Sequence, residues 1–339
     1  MNPPTTTARP RGIGLLGLGV MGRRMAQALQ AHEGFRIVAG FDPAAPADVP
    51  GVPRLDSAEA VATHPGVECV YIATPPALHR AHVALVTAAG KAVFCEKPLA
   101  ASVDEAEACC EAIRAAGVAA GVNFPFSTSA GARQLQQLIT AGELGTVQGA
   151  RLTLRFARWP RPWQMDAAGW LAGPQQGGFT REVGSHFLFL AGRLFGPGVI
   201  EQVSLRRGAA GTEEALAATL RYGALPLQID AQVAGTVDDH NRFEVVGSAG
   251  SAALTEWQRL EWRGALPERS QGRAVAQPAP LGGQGTRERP LIPGARRDGL
   301  PGQLDALAQL LAREADHGLA TPEEAAAVVR LVEGVLAAG

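Results

Sequence analysis

The stretch from Ile13 to Gly22 constrains the fold more than any other part of the chain. An apolar run leads into Gly17, Gly19 and Gly22, spaced as G-x-G-x-x-G, and an amphipathic helical pattern follows at once. In such a turn the first glycine permits the bend, the second lets the backbone approach a pyrophosphate, and the third lets the helix pack closely. The helix N-terminus then offers unpaired N–H groups to an anion. The stretch therefore predicts the first strand, turn and helix of a nucleotide-binding domain.

An acidic residue after a second strand separates a dinucleotide site from the many other turns that contain glycine. Phe35 to Phe41 has the composition of a strand, and Asp42 follows it. A carboxylate at this position accepts hydrogen bonds from a ribose 2′-hydroxyl and repels a 2′-phosphate. We therefore expect a dinucleotide site rather than a flavodoxin-like or other phosphate site. NAD is the favoured cofactor, and NADP is the alternative if Arg54 swings in.

Strand and helix patterns alternate along the first third of the chain. Val67–Ala73 and Ala92–Cys95 are apolar runs of the kind found in buried parallel strands. After Asn123 the pattern changes, and Leu225–Val233 alternates apolar and polar residues, as in a sheet with one buried face. The sequence predicts an α/β Rossmann domain with a doubly wound parallel sheet, followed by an α+β domain with a large, mainly antiparallel sheet.

Shifts in composition define the predicted domain boundaries. We expect a disordered tail, a dinucleotide-binding Rossmann domain, an α+β domain for substrate binding and oligomerisation, and two C-terminal helices that pack back on the core. Their ranges are residues 1–11, 12–122, 123–300 and 301–339. Residues 269–300 are rich in Gly, Pro, Gln and Arg, which predicts a long surface excursion.

The charge balance excludes some classes of partner. The 339 residues include 31 Lys and Arg against 32 Asp and Glu, so no global basic field attracts nucleic acid or an anionic membrane. We expect a small-molecule substrate and copies of the same chain as partners. The four cysteines lack metal-ligand spacing, so we predict reduced thiols in the cytoplasm and no metal site.

The second sheet indicates how copies of the chain associate. Its own helices can cover one face, and Leu216, Leu220, Trp257 and Trp262 lie in predicted strands. We predict that these residues form an apolar second face that a partner subunit covers, in a homodimer or homotetramer.

Only two of the 31 basic residues are lysines, Lys91 and Lys97. Arginine keeps its proton near neutral pH, whereas a partly buried lysine can donate or relay one. We therefore predict that Lys97 is chemically required. Lys91 lies in an apparent turn, and it shows that a lysine can be retained without a catalytic reason.

Two motifs resemble the Gfo/Idh/MocA oxidoreductases, named after glucose-fructose oxidoreductase, inositol dehydrogenase and a rhizopine-catabolism protein. They are the stretch from Ala73 to His79, ATPPALH, and Glu96-Lys97-Pro98 after a strand, in a chain that already carries the glycine turn and Asp42. In that family the lysine of the second motif lies at the active site beside the nicotinamide. The resemblance implies the same position for Lys97.

The second half of the family carries a double glycine, an aspartate, a glycine and a histidine at fixed spacing. Here Gly177 to His186 matches that signature, with His186 at the position of the catalytic histidine and Glu182 in place of the aspartate. Phe189, Pro76 and Pro125 also replace polar residues that are common in the family. These departures bear on the substrate more than on the cofactor.

The spacing of Glu182 and His186 sets them on one face of a helix, at the margin of its apolar stripe. Oxidation of an alcohol needs a base for the hydroxyl proton while hydride leaves for the nicotinamide, and a histidine suits that role. We predict that His186 is the base and that Lys97 hydrogen-bonds the same oxygen. Glu182 would orient His186 or bind a neighbouring hydroxyl.

The further candidates for the substrate pocket lie in the segment from Arg158 to Gln164, which contains Arg158, Arg161 and Trp163. A tryptophan can stack on the C–H face of a sugar, and an arginine can bind a carboxylate or phosphate. The alternative is that the tryptophans belong to the core or to a subunit interface. The residues predicted to bind the cofactor are Gly17, Gly19, Val20, Met21, Gly22, Asp42, Thr74, Pro75, Glu96 and Lys97.

The sequence thus predicts an NAD(P)-dependent oxidoreductase that acts on a CH–OH group of a sugar, polyol or sugar acid. One alternative is a redox-neutral lyase or hydrolase that uses NAD transiently and takes the hydride back. Another is a non-catalytic dinucleotide-binding regulator.

Overall fold

A computed structural model describes residues 9–44, 49–233, 236, 239–264, 287–288 and 299–339. The predicted tail up to residue 8 and nearly all of the predicted excursion at 269–300 lie outside these ranges. Arg11, assigned to the tail from the sequence, instead begins the first strand and pairs with Glu68 at 3.3 Å. Across the described ranges, no helix combines the length and the apolar composition that a membrane span requires.

The first sheet is parallel, with five strands in the described part of the chain. They are β1 (Arg11–Leu16), β2 (Phe35–Phe41), β3 (Cys69–Ile72), β4 (Ala92–Glu96) and β5 (Ala120–Asn123), in the spatial order β2-β1-β3-β4-β5. An isolated parallel bridge joins Gly40 to Arg54 beyond β2. If this bridge counts as a strand position, the order is that of dinucleotide-binding sheets, with the ligand crevice between β1 and β3.

Helices cover both faces of this sheet, as predicted. They are α1 (Val20–Gln30), α2 (Ala58–Thr63), α3 (His79–Ala88) and α4 (Val103–Ala116). The Ser57 and Ser102 hydroxyls accept hydrogen bonds from backbone N–H groups in the first turns of α2 and α4, which fixes where these helices begin. Met25 and Leu29 of α1 pack on one face of the sheet, and Val83 and Val86 of α3 pack on the other.

The second domain contains a large mixed sheet and the helices beside it. The helices are α5 (Ala130–Thr140), α6 (Ala168–Leu171) and α7 (Ser185–Phe195). The strands are β6 (Val147–Phe156), β7 (Gly198–Arg207), β8 (Glu213–Tyr222), β9 (Leu225–Val233), β10 (His240–Gly247), β11 (Gly250–Thr255), β12 (Arg259–Gly264) and β13 (Arg287–Glu288). Within the described residues their order is β13-β12-β11-β10-β6-β9-β8-β7, antiparallel except for the pair β6 and β9. The predicted fold class is therefore confirmed.

The prediction about the second face of this sheet is wrong. Leu216 and Leu220 point to the helix side and are only 3% and 0% exposed within the chain itself. Trp257 lies in the turn between β11 and β12, not in a strand. Alternation along a strand separates two faces without showing which one the chain's own helices cover. The opposite face carries charged side chains such as Arg155 and Asp230, which form an ion pair.

The chain ends in α8 (Leu300–Leu311) and α9 (Pro322–Ala337). Leu304 and Leu307 of α8 join the apolar cluster beside α1 on the first sheet. Helix α9 packs against α7 and carries Glu324, which receives two hydrogen bonds of 2.7 and 2.9 Å from the Arg193 guanidinium. A similar two-bond pair joins Arg181 to Glu333 of α9. Two parallel hydrogen bonds between an arginine and a carboxylate are strong and directional. These two pairs therefore hold α9 against α7 and against the turn before it.

Candidate active site

The glycine turn has the geometry that a dinucleotide site needs. Gly17 has a φ of +90°, and a Cβ there would lie 2.6 Å from the Ala73 carbonyl carbon at the end of β3. A Cβ on Gly22 would lie 2.1 Å from the Gly17 oxygen. By contrast, the space beside Gly19 is open, with no described atom within 4 Å of the place of a Cβ. Val20 and Met21 follow as the first turn of α1, so the turn leaves room for a ligand at the helix N-terminus.

Asp42 lies beside this turn. Its carboxylate accepts hydrogen bonds from the backbone N–H groups of Leu18 at 2.7 Å and Ala44 at 2.8 Å. The Arg54 guanidinium donates to the Asp42 carbonyl oxygen at 2.6 Å. Both determinants of the choice between NAD and NADP therefore lie at the end of β2: a carboxylate for the 2′-hydroxyl and a neighbouring cation.

His79 joins the two loops that carry the family motifs. Its ring is fully buried, and its nitrogens lie 2.8 Å from the carbonyl oxygens of Thr74 and Pro98. A neutral imidazole carries one N–H and can donate to only one of these carbonyl oxygens, whereas a protonated imidazole can donate to both. Burial lowers the pKa of His79, and the two carbonyl acceptors act in the opposite direction. The ring thereby fixes the loop with Thr74 and Pro75 against the loop with Lys97.

Glu96 lies under the site, between β3 and β5. One carboxyl oxygen accepts hydrogen bonds from the Tyr71 hydroxyl and, at 2.7 Å, from the Asn123 amide nitrogen. Burial raises the pKa of Glu96, while these two donors counteract the effect. Burial also raises the pKa of Tyr71, with the Glu96 charge adding to it. The contacts of Glu96 are thus directed into the protein, where they hold the strand that delivers Lys97.

Lys97 and Glu182 bring the two halves of the chain together. The Lys97 Nζ donates to the Glu182 carboxylate at 2.5 Å and to its backbone carbonyl at 2.9 Å. The other carboxylate oxygen accepts from the Gln164 amide at 3.0 Å. The two ion-pair side chains are 9% and 16% exposed, so they keep limited access to the cleft.

The prediction that Glu182 and His186 lie on one face of a helix is wrong. Thr180–Gly184 form a π-helical turn directly before α7, so Glu182 and His186 do not share one regular α-helical face. Among the described contacts of Glu182, the partners are Lys97, Gln164 and Arg161, and not the His186 ring. π-Helical turns are rare and often occur at functional sites, where they change the direction of a side chain.

Aromatic side chains surround the His186 ring. Its ring is 7% exposed and meets the rings of Phe124, Phe126 and Trp257 edge-on, at centroid distances of 5.7, 6.3 and 5.2 Å. Its Nδ1 is buried and has no hydrogen-bond partner among the described residues. Burial, and then the charges of Lys97 and Arg161, hold the pKa of His186 well below its ordinary value. This shift favours the neutral form of the imidazole.

Arg161, rather than Arg158, lies at the centre of the site. Arg161 is 5% exposed and contacts Asp239 at 2.8 Å, Gln164 at 3.0 Å and Glu182 at 3.8 Å. Arg158 is exposed, and no hydrogen bond or ion pair joins it to the described residues of the site. The sequence contained one signal for this: Gln164 follows Arg161 by three residues, which allows a local contact in a helical turn.

Trp163 lies between the two domains. Its ring is within 4.8 Å of the Arg24 guanidinium of α1 and within 4.8 Å of the Arg161 guanidinium. It is 46% exposed. The structure therefore brings Lys97, Glu182, His186 and the glycine turn together with Arg161, Gln164 and Asp239. Arg158 lies at the margin of this site.

Comparison with known proteins identifies the family. The family described as "Oxidoreductase family, NAD-binding Rossmann fold" matches residues 11–124, and the "GFO/IDH/MocA C-terminal domain" matches residues 132–253. These matches cover more than half of the chain. The protein belongs to the Gfo/Idh/MocA family of oxidoreductases, which confirms the resemblance and the prediction of NAD as cofactor.

The relatives differ in the reactions that their names describe. The chain is 36% identical to the 1,5-anhydro-D-fructose reductase of Ensifer adhaerens over 98 residues, which are 29% of each chain. It is 28% identical to the 2,7-anhydro-N-acetylneuraminate hydratase of Escherichia coli over 137 residues, 40% of this chain and 37% of the relative. Each match spans far less than two thirds of the relative.

Solved structures share the whole fold. The WlbA dehydrogenase of Bordetella pertussis, in complex with NADH and UDP-GlcNAcA, has a TM-score of 0.79 to this chain. The superposition covers 98% of this chain and 96% of that chain at 20% identity. At this identity the likeness establishes the common architecture.

Proposed function

We propose that the protein is an NAD-dependent dehydrogenase or reductase that transfers hydride between nicotinamide and a CH–OH group of a neutral sugar or polyol. The observation that carries this proposal is the contact of Lys97 with Glu182, because it joins the NAD-binding half to the helix turn before His186. NAD supplies the hydride acceptor. The residues around it supply the proton acceptor, the hydrogen bonds and the orientation.

His186 and Lys97 have complementary roles in this proposal. The neutral imidazole takes the hydroxyl proton, which the low pKa permits because the ring is not already protonated. The Lys97 ammonium donates a hydrogen bond to the same oxygen and stabilises the developing alkoxide. Glu182 holds Lys97 in place through two contacts, and Gln164 fixes the Glu182 carboxylate. Glu182 thus positions Lys97 in this scheme, where the sequence argument paired it with His186.

The charges of the site favour a neutral substrate. Lys97 already faces Glu182, and Arg161 already faces Asp239 at 2.8 Å. An acidic substrate that bound either cation would have to compete with a carboxylate that is in place. Hydroxyl groups can instead donate to these carboxylates and accept from Gln164. We therefore favour sugars and polyols over sugar acids.

The experiment measures nicotinamide absorbance with purified protein, first with NAD and then with NADP. The panel pairs neutral inositols and sugars with the sugar acids of matching stereochemistry. We expect reduction of NAD by a neutral member at a higher kcat/KM than by its acid. Reduction by the acids alone would contradict the substrate class. Bound NAD with no reduction across the panel would contradict the dehydrogenase itself.

A redox-neutral reaction is the second candidate, and the similarity to a hydratase favours it. In that case the hydride leaves the substrate and returns to it after an elimination or an addition of water. The same panel distinguishes the two, because a redox-neutral enzyme converts substrate without net formation of NADH. Product analysis at catalytic amounts of NAD would show that outcome.

We further propose that the protein acts in the cytoplasm as a homodimer or homotetramer. The sheet β6 to β13 has one face against its own helices and one face of charged side chains, including Arg155, Asp230, Arg242 and Glu244. Buried thiols at Cys69 and Cys109, whose pKa burial raises to about 12, are compatible with a reducing compartment. Light scattering of the purified protein tests the assembly, and a mass equal to one chain would contradict it.

A further inference from the structure

One segment of the second domain contacts helix α1 and two loops at the carboxyl edge of the first sheet, the loop after β3 and the loop after β4. We call residues Arg161–Glu182 the covering segment. Its Trp163 meets Arg24 of α1, which follows the glycine turn, with the guanidinium 4.8 Å from the ring centroid. Its Gln176 accepts a hydrogen bond of 2.9 Å from the Ala77 N–H, in the loop after β3. Its Glu182 meets Lys97, in the loop after β4.

The glycine turn with α1 and the loops after β3 and β4 border the crevice in which an open parallel sheet binds its ligand. A segment that contacts all of them must cross the crevice. The space beside Gly19 is open, Gly19 precedes α1, and Arg24 belongs to the second turn of that helix. A dinucleotide on the glycine turn therefore meets the covering segment from the second domain.

The exposed apolar side chains support this reading. Among the described residues, Leu78, Trp163, Met165 and Val199 are the large hydrophobic side chains that remain exposed. Trp163 and Met165 lie on the covering segment, and Leu78 follows Ala77 in the loop that the segment contacts. Large apolar side chains that remain exposed are typical of a surface that a ligand covers.

We propose that Trp163, held between Arg24 and Arg161, is a dinucleotide-binding residue that covers bound NAD and slows its release. The sequence predicts that Trp163 lines the substrate pocket. The contact with Arg24 assigns it to the cofactor, because Arg24 belongs to the helix whose N-terminus faces the pyrophosphate. Arg24 supplies one side of the cover and Arg161 connects it to Glu182 and Lys97.

This inference uses the proposed function only in taking NAD as the ligand, so binding without substrate tests it. Trp163→Ala, Arg24→Ala and the double variant are compared with wild type, and Trp262→Ala, in β12, serves as the control. Stopped-flow fluorescence gives the NADH dissociation rate, and titration gives Kd. Loss of a stacked aromatic cover is expected to raise both about tenfold, which is roughly 1.4 kcal/mol. The control is expected to stay at the wild-type values.

The double variant separates a common cover from two independent contacts. If Arg24 and Trp163 act together, the double variant releases NADH no faster than the faster single variant. If the effects of the two substitutions on the NADH dissociation rate multiply, Arg24 and Trp163 do not form a common cover. An unchanged rate in Trp163→Ala would overturn the proposal as a whole. Circular dichroism of each variant shows whether it is folded, and Trp163→Phe is expected to restore slow release. If wild type itself failed to bind NADH, the proposed function would fail, which is a different result.

Discussion

Two buried histidines, one from each domain, have completely different surroundings. His79 has carbonyl oxygens at 2.8 Å from both ring nitrogens. His186 has a buried Nδ1 without a described partner and three aromatic rings around it. A ring with both nitrogens occupied can hold loops together, whereas a ring with free capacity can take a proton from a substrate. We therefore propose that the same residue type serves structure in one domain and chemistry in the other.

The largest expected effect comes from the histidine assigned to chemistry. His186→Asn removes the base but keeps a polar side chain of moderate size, so kcat for alcohol oxidation is expected to fall roughly 10³-fold. The Kd for NADH is expected to remain within about twofold, a small change in binding free energy. Steady-state kinetics and NADH titration measure the two quantities. His240→Asn, at an exposed position of β10, is the control. A weakened Kd with unchanged kcat would reverse the assignment.

The histidine assigned to structure gives a smaller and different effect. His79→Asn cannot reach both carbonyl oxygens, so the loops with Thr74 and Lys97 lose a shared contact. We expect the Kd for NADH to rise about tenfold and the free energy of unfolding to fall by about 1–3 kcal/mol. Binding titration and urea denaturation measure them. If His79→Asn lost activity as His186→Asn does, with intact NADH binding, the two histidines would not differ in the way proposed here.

The aromatic surrounding of His186 gives the finest test of the comparison. Because the folded pKa is depressed, neutral His186 persists below pH ~6.5, the ordinary value for histidine, and the acidic limb of kcat/KM for oxidation lies lower still. Trp257→Ala lets water reach the ring and is expected to move this limb toward higher pH. The pH profile measures it, with Trp262→Ala as the matched control. A limb that stays in place would show that Trp257 does not shield the ring.

The same shift has a consequence for stability. A depressed pKa means that the unfolded chain takes up a proton at His186 that the folded chain does not, once the pH falls below about 6.5. The contribution of this residue to stability is therefore complete above that pH and decreases as the pH falls toward the folded pKa. The decrease is expected to be smaller in Trp257→Ala.

Local sequence was sufficient to predict the strands, turn and helix that form the first half of the candidate site. The glycine turn, Asp42 and Glu96-Lys97-Pro98 are short motifs in which neighbouring residues specify strand, turn and helix. Their geometry follows from the chain itself, as the close packing of Gly17 and Gly22 shows. The alternation in β9 likewise predicted a strand with one buried face.

The second half of the site depends on contacts between distant residues, which periodicity does not encode. Lys97 and Glu182 are 85 positions apart. The π-helical turn at Thr180–Gly184 has no recognised sequence signal, so the α-helical spacing was the natural assumption. Arg158 and Arg161 are the same residue type in one short segment, so the sequence does not distinguish them. The fold shows that Arg161 contacts Asp239. The aromatic rings around His186 come from two separate segments, one with Phe124 and Phe126 and the other with Trp257.

The central claim is that the cleft in which Lys97 contacts Glu182 oxidises an alcohol with NAD. The two lysines of the chain offer the most direct test of this claim. A single turnover of bound NAD with the best substrate of the panel is measured in wild type, Lys97→Ala and Lys91→Ala. We expect the rate of nicotinamide reduction to fall roughly 10³-fold in Lys97→Ala and to be unchanged in Lys91→Ala. Equal rates in the two variants would contradict the claim.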